Sequence, residues 1–297
     1  SPHWAPTMMM ADITHSLNMA YERAYCTVSA MRLIHCACGA SPEPSIPGAE
    51  TFQLPAHPTQ RDLKFLDAIA REVLPSDPTP SLDEIQKNPA VDHLGAPTFA
   101  PQQPSEPLRV VVSGSDRALG LVLTRLMRAD CMWVEVGYVP ADPQSPAAVL
   151  WGAESADLAA GGPVRPIPCI RTDFGEVVAG SAELFTDDGA TPYYGEVVVD
   201  SDVLVHPGVE YGARLVPTVD APGIAAAPFT SPLVPTRRFL RRQPVARLDG
   251  NRTLTGRALQ SGGNEIAVRI DDHLRPRPVS RVTFYRHLRD IQAVRSA

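Results

Sequence analysis

The stretch RVVVSGSDRALGLVLTRLMRAD, residues 109–130, holds the residues best placed for chemistry. Gly114, Ser115, Asp116 and Arg117 follow a β-branched run and open an amphipathic pattern. A strand, a short polar turn and a helix start can turn backbone N–H groups toward a phosphate. The same residues also make an ordinary strand-to-helix connection, with Asp116 capping a helix that begins at Arg117. Arg117 would offset an anion at this turn.

Other chemistry-bearing residues form weaker patterns. His35, Cys36 and Cys38 lie in HCACG, a spacing unlike that of a zinc site, so no metal is expected there. His206, His273 and His287 have no Ser or Cys nucleophile beside them, and SGS at 113–115 is not a Gly-x-Ser-x-Gly elbow. TRRFLRRQPVAR places Arg237, Arg238, Arg241 and Arg242 in one basic band at helical spacing. That band suits an anionic lipid headgroup or a phosphate. Pairing with the acidic segment 172–213 is the alternative.

The elements that position these groups follow from periodicity. Ile13, Leu17, Ala20, Ala24, Val28, Met31 and Ile34 recur at steps of three and four, which predicts a helix over 11–38. A proline-rich tether follows, so the helix would dock on the body or on a partner through Ile13, Leu17, Val28 and Met31. Residues 59–74 read as a second helix capped by Thr59, and 75–107 as a proline-rich linker. Residues 109–113, 117–128 and 133–140 read as strand, helix and strand, a β-α-β unit, with a short helix over 145–152. From about 165 short strands alternate with turn signals, among them 175–180, 194–205, 252–263, 264–271 and 289–295. The predicted organisation is helix and tether over 1–58, helix and linker over 59–107, a small α/β domain over 108–164 and an antiparallel β domain over 165–297. On this reading, deleting residues 1–40 leaves the 108–297 body folded.

The opening turn resembles the nucleotide loop of diacylglycerol kinases and related lipid kinases, a fold shared with NAD kinases. That loop reads Gly-Gly-Asp-Gly-Thr-Leu; here Gly114, Ser115, Asp116, Arg117, Ala118 and Leu119 stand in its place. PADPQSPAAVLWG, residues 140–152, matches the length of the family's second motif but keeps only its Pro, one Ala and the last Gly. VRIDD runs into an acidic turn where the family has Asp-Gly-Glu. The resemblance covers residues 108–297. It implies ATP and magnesium at Gly114, Ser115 and Asp116, with Asp271 assisting transfer to a lipid or small-molecule hydroxyl. The motifs are degenerate. Arg117 and Ala118 replace Gly and Thr, and Pro143 and Pro146 have no N–H to donate. Asp142 adds charge near the phosphate site, and a transferring site must neutralise charge. The sequence therefore favours a kept fold with lost chemistry, a binding or assembly subunit docking through its N-terminal helix. The alternative is an active ATP- and Mg-dependent kinase.

Composition sets wider limits. The chain has 297 residues, 31 prolines and a net charge of −6, and its basic residues are arginine except for Lys64 and Lys87. This is an actinobacterial-type, GC-rich usage. Residues 172–213 hold nine carboxylates and no Lys or Arg, whereas 236–297 carry a net +9. An acidic total argues against a general nucleic-acid binder. With no apolar run of about 20 residues, no transmembrane span is expected. Five cysteines without a framework fit a reducing cytoplasm, with the chain membrane-peripheral or held in a complex.

Overall fold

The computed structural model describes residues 31–39, 44–74, 95–235 and 244–296. Residues 1–31 and 32–297 are separate units. The second unit has two lobes, each built on its own sheet.

Strand β3 (Leu108–Gly114) is buried along its whole length, as a strand covered on both faces must be. It pairs in parallel with β1 (Arg32–Cys38) on one side and β4 (Glu135–Pro140) on the other. β2 (Glu50–Leu54) joins β1, and β17 (Gln292–Ala293) joins β4, completing a five-stranded parallel sheet ordered β17-β4-β3-β1-β2. On one face, helices α1 (Phe65–Val73) and α2 (Asp116–Arg128) cover Ile34, Cys36, Val110 and Val112. On the other, α4 (Ala156–Gly161) packs Ala159 on Val111. Gly137 is required there, because a Cβ would lie 2.2 Å from the Ala159 carbonyl oxygen. α3 (Pro146–Trp151) completes the lobe, with Trp151 edge-on to Tyr138.

The β-α-β unit read from the sequence is therefore present, but its lobe starts far earlier than residue 108. Residues 32–38 are a central strand, not the last turns of a helix. Alternation in β1 puts Cys36 and Cys38 toward the helices and His35 on the opposite face, with its Nε2 2.8 Å from the Ser113 hydroxyl. Met31 precedes β1 without helical structure, while Ile13, Leu17 and Val28 lie outside the described residues. Arg237, Arg238, Arg241 and Arg242 also lie outside them. Residues 289–295, read as part of the β domain, instead return to the parallel sheet as β17.

The second lobe is a ten-stranded antiparallel sheet. Its spine is β14 (Ala258–Ile270), flanked by β16 (Val279–Arg286). β5 (Ile170–Thr172) forms the edge beyond β16. The first half of β14 pairs β7 (Glu196–Val199), which turns back as β8 (Asp202–Val205); the second half pairs β6 (Ala182–Thr186). Gly262 and Gly263 mark the change of partner; a Cβ on Gly263 would lie 2.8 Å from the Gly195 Cα. The sequence divided this strand in two at those glycines. β6 continues through β9 (Gly212–Pro217) and β10 (Ile224–Pro228) to β13 (Leu254–Gly256). Their inward residues form a second core around Leu184, Leu215, Val268 and Phe284. β11 (Val234–Pro235) and β12 (Pro244–Val245) pair as a separate ribbon. Residues 175–180, expected as a strand, form a loop with one bridge, Arg171 to Val177.

Candidate functional site

The C-terminal ends of β3 and β4 open into a cleft of about 520 Å³. Ser115, Asp116 and Arg117 line it from the α/β lobe, with Tyr138, Asp142 and Ser145 beside them. Asp271, Asp272 and His273 line it from the β lobe. A cleft beyond the carboxyl ends of parallel strands is the usual ligand position in such sheets. The structure thus brings the loop residues and Asp271, far apart in sequence, to one place.

At the loop, Gly114 has φ +149°, and a Cβ there would lie 2.9 Å from the Cys38 carbonyl oxygen. Ser115, not Asp116, is the helix cap: its hydroxyl accepts from the Ala118 N–H at 3.2 Å. Asp116 is the first helical residue and turns into the protein. One carboxylate oxygen accepts from the Tyr138 hydroxyl at 2.8 Å and the Ser145 hydroxyl at 2.6 Å. The other accepts from the Ala147 N–H at 2.9 Å. A carboxylate at the first turns of α2 and α3 is favoured by both helix ends. Burial, with Asp116 adjacent, pushes the Tyr138 hydroxyl far above its ordinary range. Arg117 does not face an anion site freely; it pairs with Glu176.

Asp271 and Asp272 form the hairpin turn between β14 and β15 (His273–Leu274), with φ of 47° and 63°. Two positive φ angles are what a type I′ hairpin turn needs, and Asp tolerates them. The Asp271 carboxylate accepts from the N–H groups of Ala179 at 3.0 Å, Gly180 at 2.8 Å and Ser181 at 3.0 Å. Burial pushes its carboxyl up to about 7, against those three bonds and with Asp116 adding repulsion. Gly180 stands between the two acids, since a Cβ there would lie 2.5 Å from Asp116 Oδ2.

The lobes meet along one ridge of α2, spaced by four residues. Gly120 packs against Asp271, where a Cβ would lie 2.7 Å from Oδ2. Thr124 Oγ1 accepts the Val177 N–H at 2.9 Å. Arg128 Nε donates to the Gly175 carbonyl at 3.1 Å. Loop 175–181 is therefore bonded along the helix. This seam was unreadable in the sequence because Gly120 and Thr124 look like interruptions of an apolar face.

Could the site hold ATP and magnesium? The N–H groups of Ala147, Ala179, Gly180 and Ser181 already serve the protein's own carboxylates. Asp142 accepts from the Gln144 N–H in its own turn. His57 and His273 face each other edge to face, ring centres 6.0 Å apart, and burial holds His273 below its ordinary value. Among the described residues no group of three His, Cys, Asp or Glu side chains is placed to hold a metal ion. The lining is net acidic, so these residues fit a free triphosphate poorly.

The raised Asp271 carboxyl has a measurable consequence. In the unfolded chain an aspartate ionises near pH 4, so between about pH 4 and 7 the folded state binds the extra proton. The Asp271 share of the stability is therefore expected to fall as pH rises through that window, by on the order of 4 kcal/mol at most, while burial of the His287 ring, which holds it down to about 4, raises stability over the same range. Urea unfolding of the parent and of Asp271→Asn at intervals of pH isolates the Asp271 share. A parent-minus-variant stability that stays level or rises from pH 4 to 7 would contradict it.

Sequence comparison finds no matching family model and no matching curated protein. The fold does have relatives among solved structures. A protein assigned as a diacylglycerol kinase from Bacillus anthracis strain Sterne superposes with a TM-score of 0.55 at 8% identity, covering 89% of this chain and 97% of that one. An NAD kinase from Archaeoglobus fulgidus, solved with ATP, gives 0.44 at 10% identity over 87% of this chain and 92% of its own. The chain has the diacylglycerol-kinase-like fold: a parallel α/β lobe and a larger antiparallel lobe with a cleft between them. Among the described residues no helix is long and apolar enough to cross a membrane.

Proposed function

We propose that this protein keeps the diacylglycerol-kinase-like fold without its phosphoryl transfer, and serves as a non-catalytic binding or assembly subunit. One observation carries the reading. Asp116, the acid of the nucleotide-loop position, has both carboxylate oxygens committed to Tyr138, Ser145 and Ala147. A group so held orients α3 and the lobe seam rather than a substrate. The basic band at Arg237, Arg238, Arg241 and Arg242 would add an anionic lipid or phosphate contact, and the stripe of Ile13, Leu17 and Val28 a partner chain or a second copy.

Thermal unfolding with ATP, ADP and NAD, each with and without magnesium, tests the reading. A ligand bound at 100 times its dissociation constant adds about 2.7 kcal/mol. No shift is expected for any of the three. A saturable shift with Mg-ATP, together with phosphate transfer to a diacylglycerol, overturns the proposal.

The second reading is a Mg-ATP-dependent kinase acting on a lipid or small-molecule hydroxyl. It rests on Asp271, whose carboxyl stands near neutrality in the cleft wall, where a general base would be useful. On that reading Asp271→Asn abolishes transfer while nucleotide binding survives.

A further inference from the structure

We propose that a second hollow, on the β lobe beside the cleft, binds a small amphipathic anion: an apolar ring or chain ending in a phosphate or carboxylate. Its volume is about 380 Å³, within the range of small-molecule sites. Val268, Ile270 and Phe174 give it apolar walls, and Arg275 and Arg277 stand among its lining residues. The Arg275 guanidinium lies 4.2 Å from the centre of the Phe174 ring. Stacking holds a guanidinium plane in one orientation and leaves its edge N–H groups free for an anion. Neither Arg275 nor Arg277 is ion-paired with a carboxylate among the described residues, whereas Arg117, Arg252, Arg269 and Arg286 all are. Glu176, the acid on the wall, is already neutralised by Arg117. An apolar hollow with two guanidinium groups that no described carboxylate pairs calls for a ligand that brings both an apolar body and negative charge.

The backbone explains why the arginines are there. β15 returns antiparallel along β14, pairing Leu274 with Arg269. The Arg275 N–H then donates to the Val268 carbonyl at 2.8 Å, which places its backbone beside the pocket that Val268 also lines. Arg117 and His273 border both this pocket and the cleft, so a bound anion would lie next to the interlobe seam. The proposal does not depend on whether the cleft takes a nucleotide, and its test contains none.

The test is calorimetric titration of the full chain with 1-naphthyl phosphate, and separately with its two halves, 1-naphthol and inorganic phosphate. One-site binding of the ester is expected at or below roughly 1 mM, with each half weaker by about tenfold or more. Arg275→Glu and Arg277→Glu are each expected to weaken the ester by about tenfold or more, leaving 1-naphthol unchanged. Arg277 is exposed, so its variant should fold; if Arg275→Glu lowers the unfolding midpoint, Arg277→Glu decides alone. Absence of saturable ester binding, or an affinity unchanged in Arg277→Glu, overturns the site. Phosphate binding as tightly as the ester would also overturn it, since the apolar walls would then contribute nothing.

Discussion

Removal of residues 1–40 is expected to unfold the α/β lobe, whereas removal of residues 1–30 leaves its cooperative unfolding in place. β1 lies between β2 and β3, and its loss breaks both ladders. Ile34 and Cys36 are fully buried, and Cys38 is 3% exposed. A buried large aliphatic side chain contributes about 1.5–3 kcal/mol, and each backbone hydrogen bond about 1 kcal/mol net. With the pairings on two sides, the loss exceeds the total margin of about 5–15 kcal/mol that a folded domain has. The cut at residue 30 stops short of every described pairing. Near-ultraviolet circular dichroism and thermal unfolding of the two truncations separate the cases. A 41–297 chain that melts cooperatively at the full-length midpoint would show that β1 is dispensable, as the sequence pattern alone suggested. The assembly proposal is then tested on the 31–297 chain, by its size-exclusion mass and partner capture.

The second large effect concerns Asp116. Asp116→Ala is expected to destabilise the protein by about 3–5 kcal/mol, because three donors lose a charged acceptor at once. Tyr138 keeps one outlet, the Gly114 carbonyl at 3.1 Å, and Ser145 still caps α3. The Ala147 N–H has no such alternative. Asp116→Asn should cost less, since an amide oxygen can still receive Tyr138 and Ser145 while its NH₂ opposes Ala147. Denaturant midpoints of the two variants give the comparison. The measurement also separates the two readings of the cleft. Residues kept for chemistry commonly cost stability, so replacing them is neutral or stabilising. If Asp116→Ala unfolds no more easily than the parent, the carboxylate is held for a ligand and the structural role assigned to it fails.

Much of the α/β lobe could be read from the sequence for a physical reason. Strand Leu108–Gly114 is apolar on both faces, and helix Asp116–Arg128 has a sustained apolar stripe, so local pattern and final environment agree. The short helix at Pro146–Trp151 was legible from Ser145-Pro146, a cap followed by a proline that fits the first turn. The loop residues Gly114 to Arg117 and the acidic turn at Asp271 could likewise be marked by type and order. Their roles could not. Whether Asp116 faces a ligand or Tyr138 depends on α3 and β4, and whether Asp271 is free depends on loop 175–181, about 90 residues away.

The sequence also misplaced β1. RLIHCAC is apolar enough to continue a helical stripe begun at Ile13, and periodicity cannot tell a short buried strand from a helix segment. Its identity is decided by β2 and β3, which lie on either side of it and bond it along both edges. The same holds for β17, two residues whose strand character comes wholly from the edge of β4. By itself the sequence determined the strand, turn and helix over residues 109–128 and the short helix after Ser145, because those are properties of residue type and local spacing. Only the tertiary structure decided that three separate segments build one sheet, and that both cleft acids are bonded within the protein. Those are long-range pairings, and their free energy exists only once the partners meet.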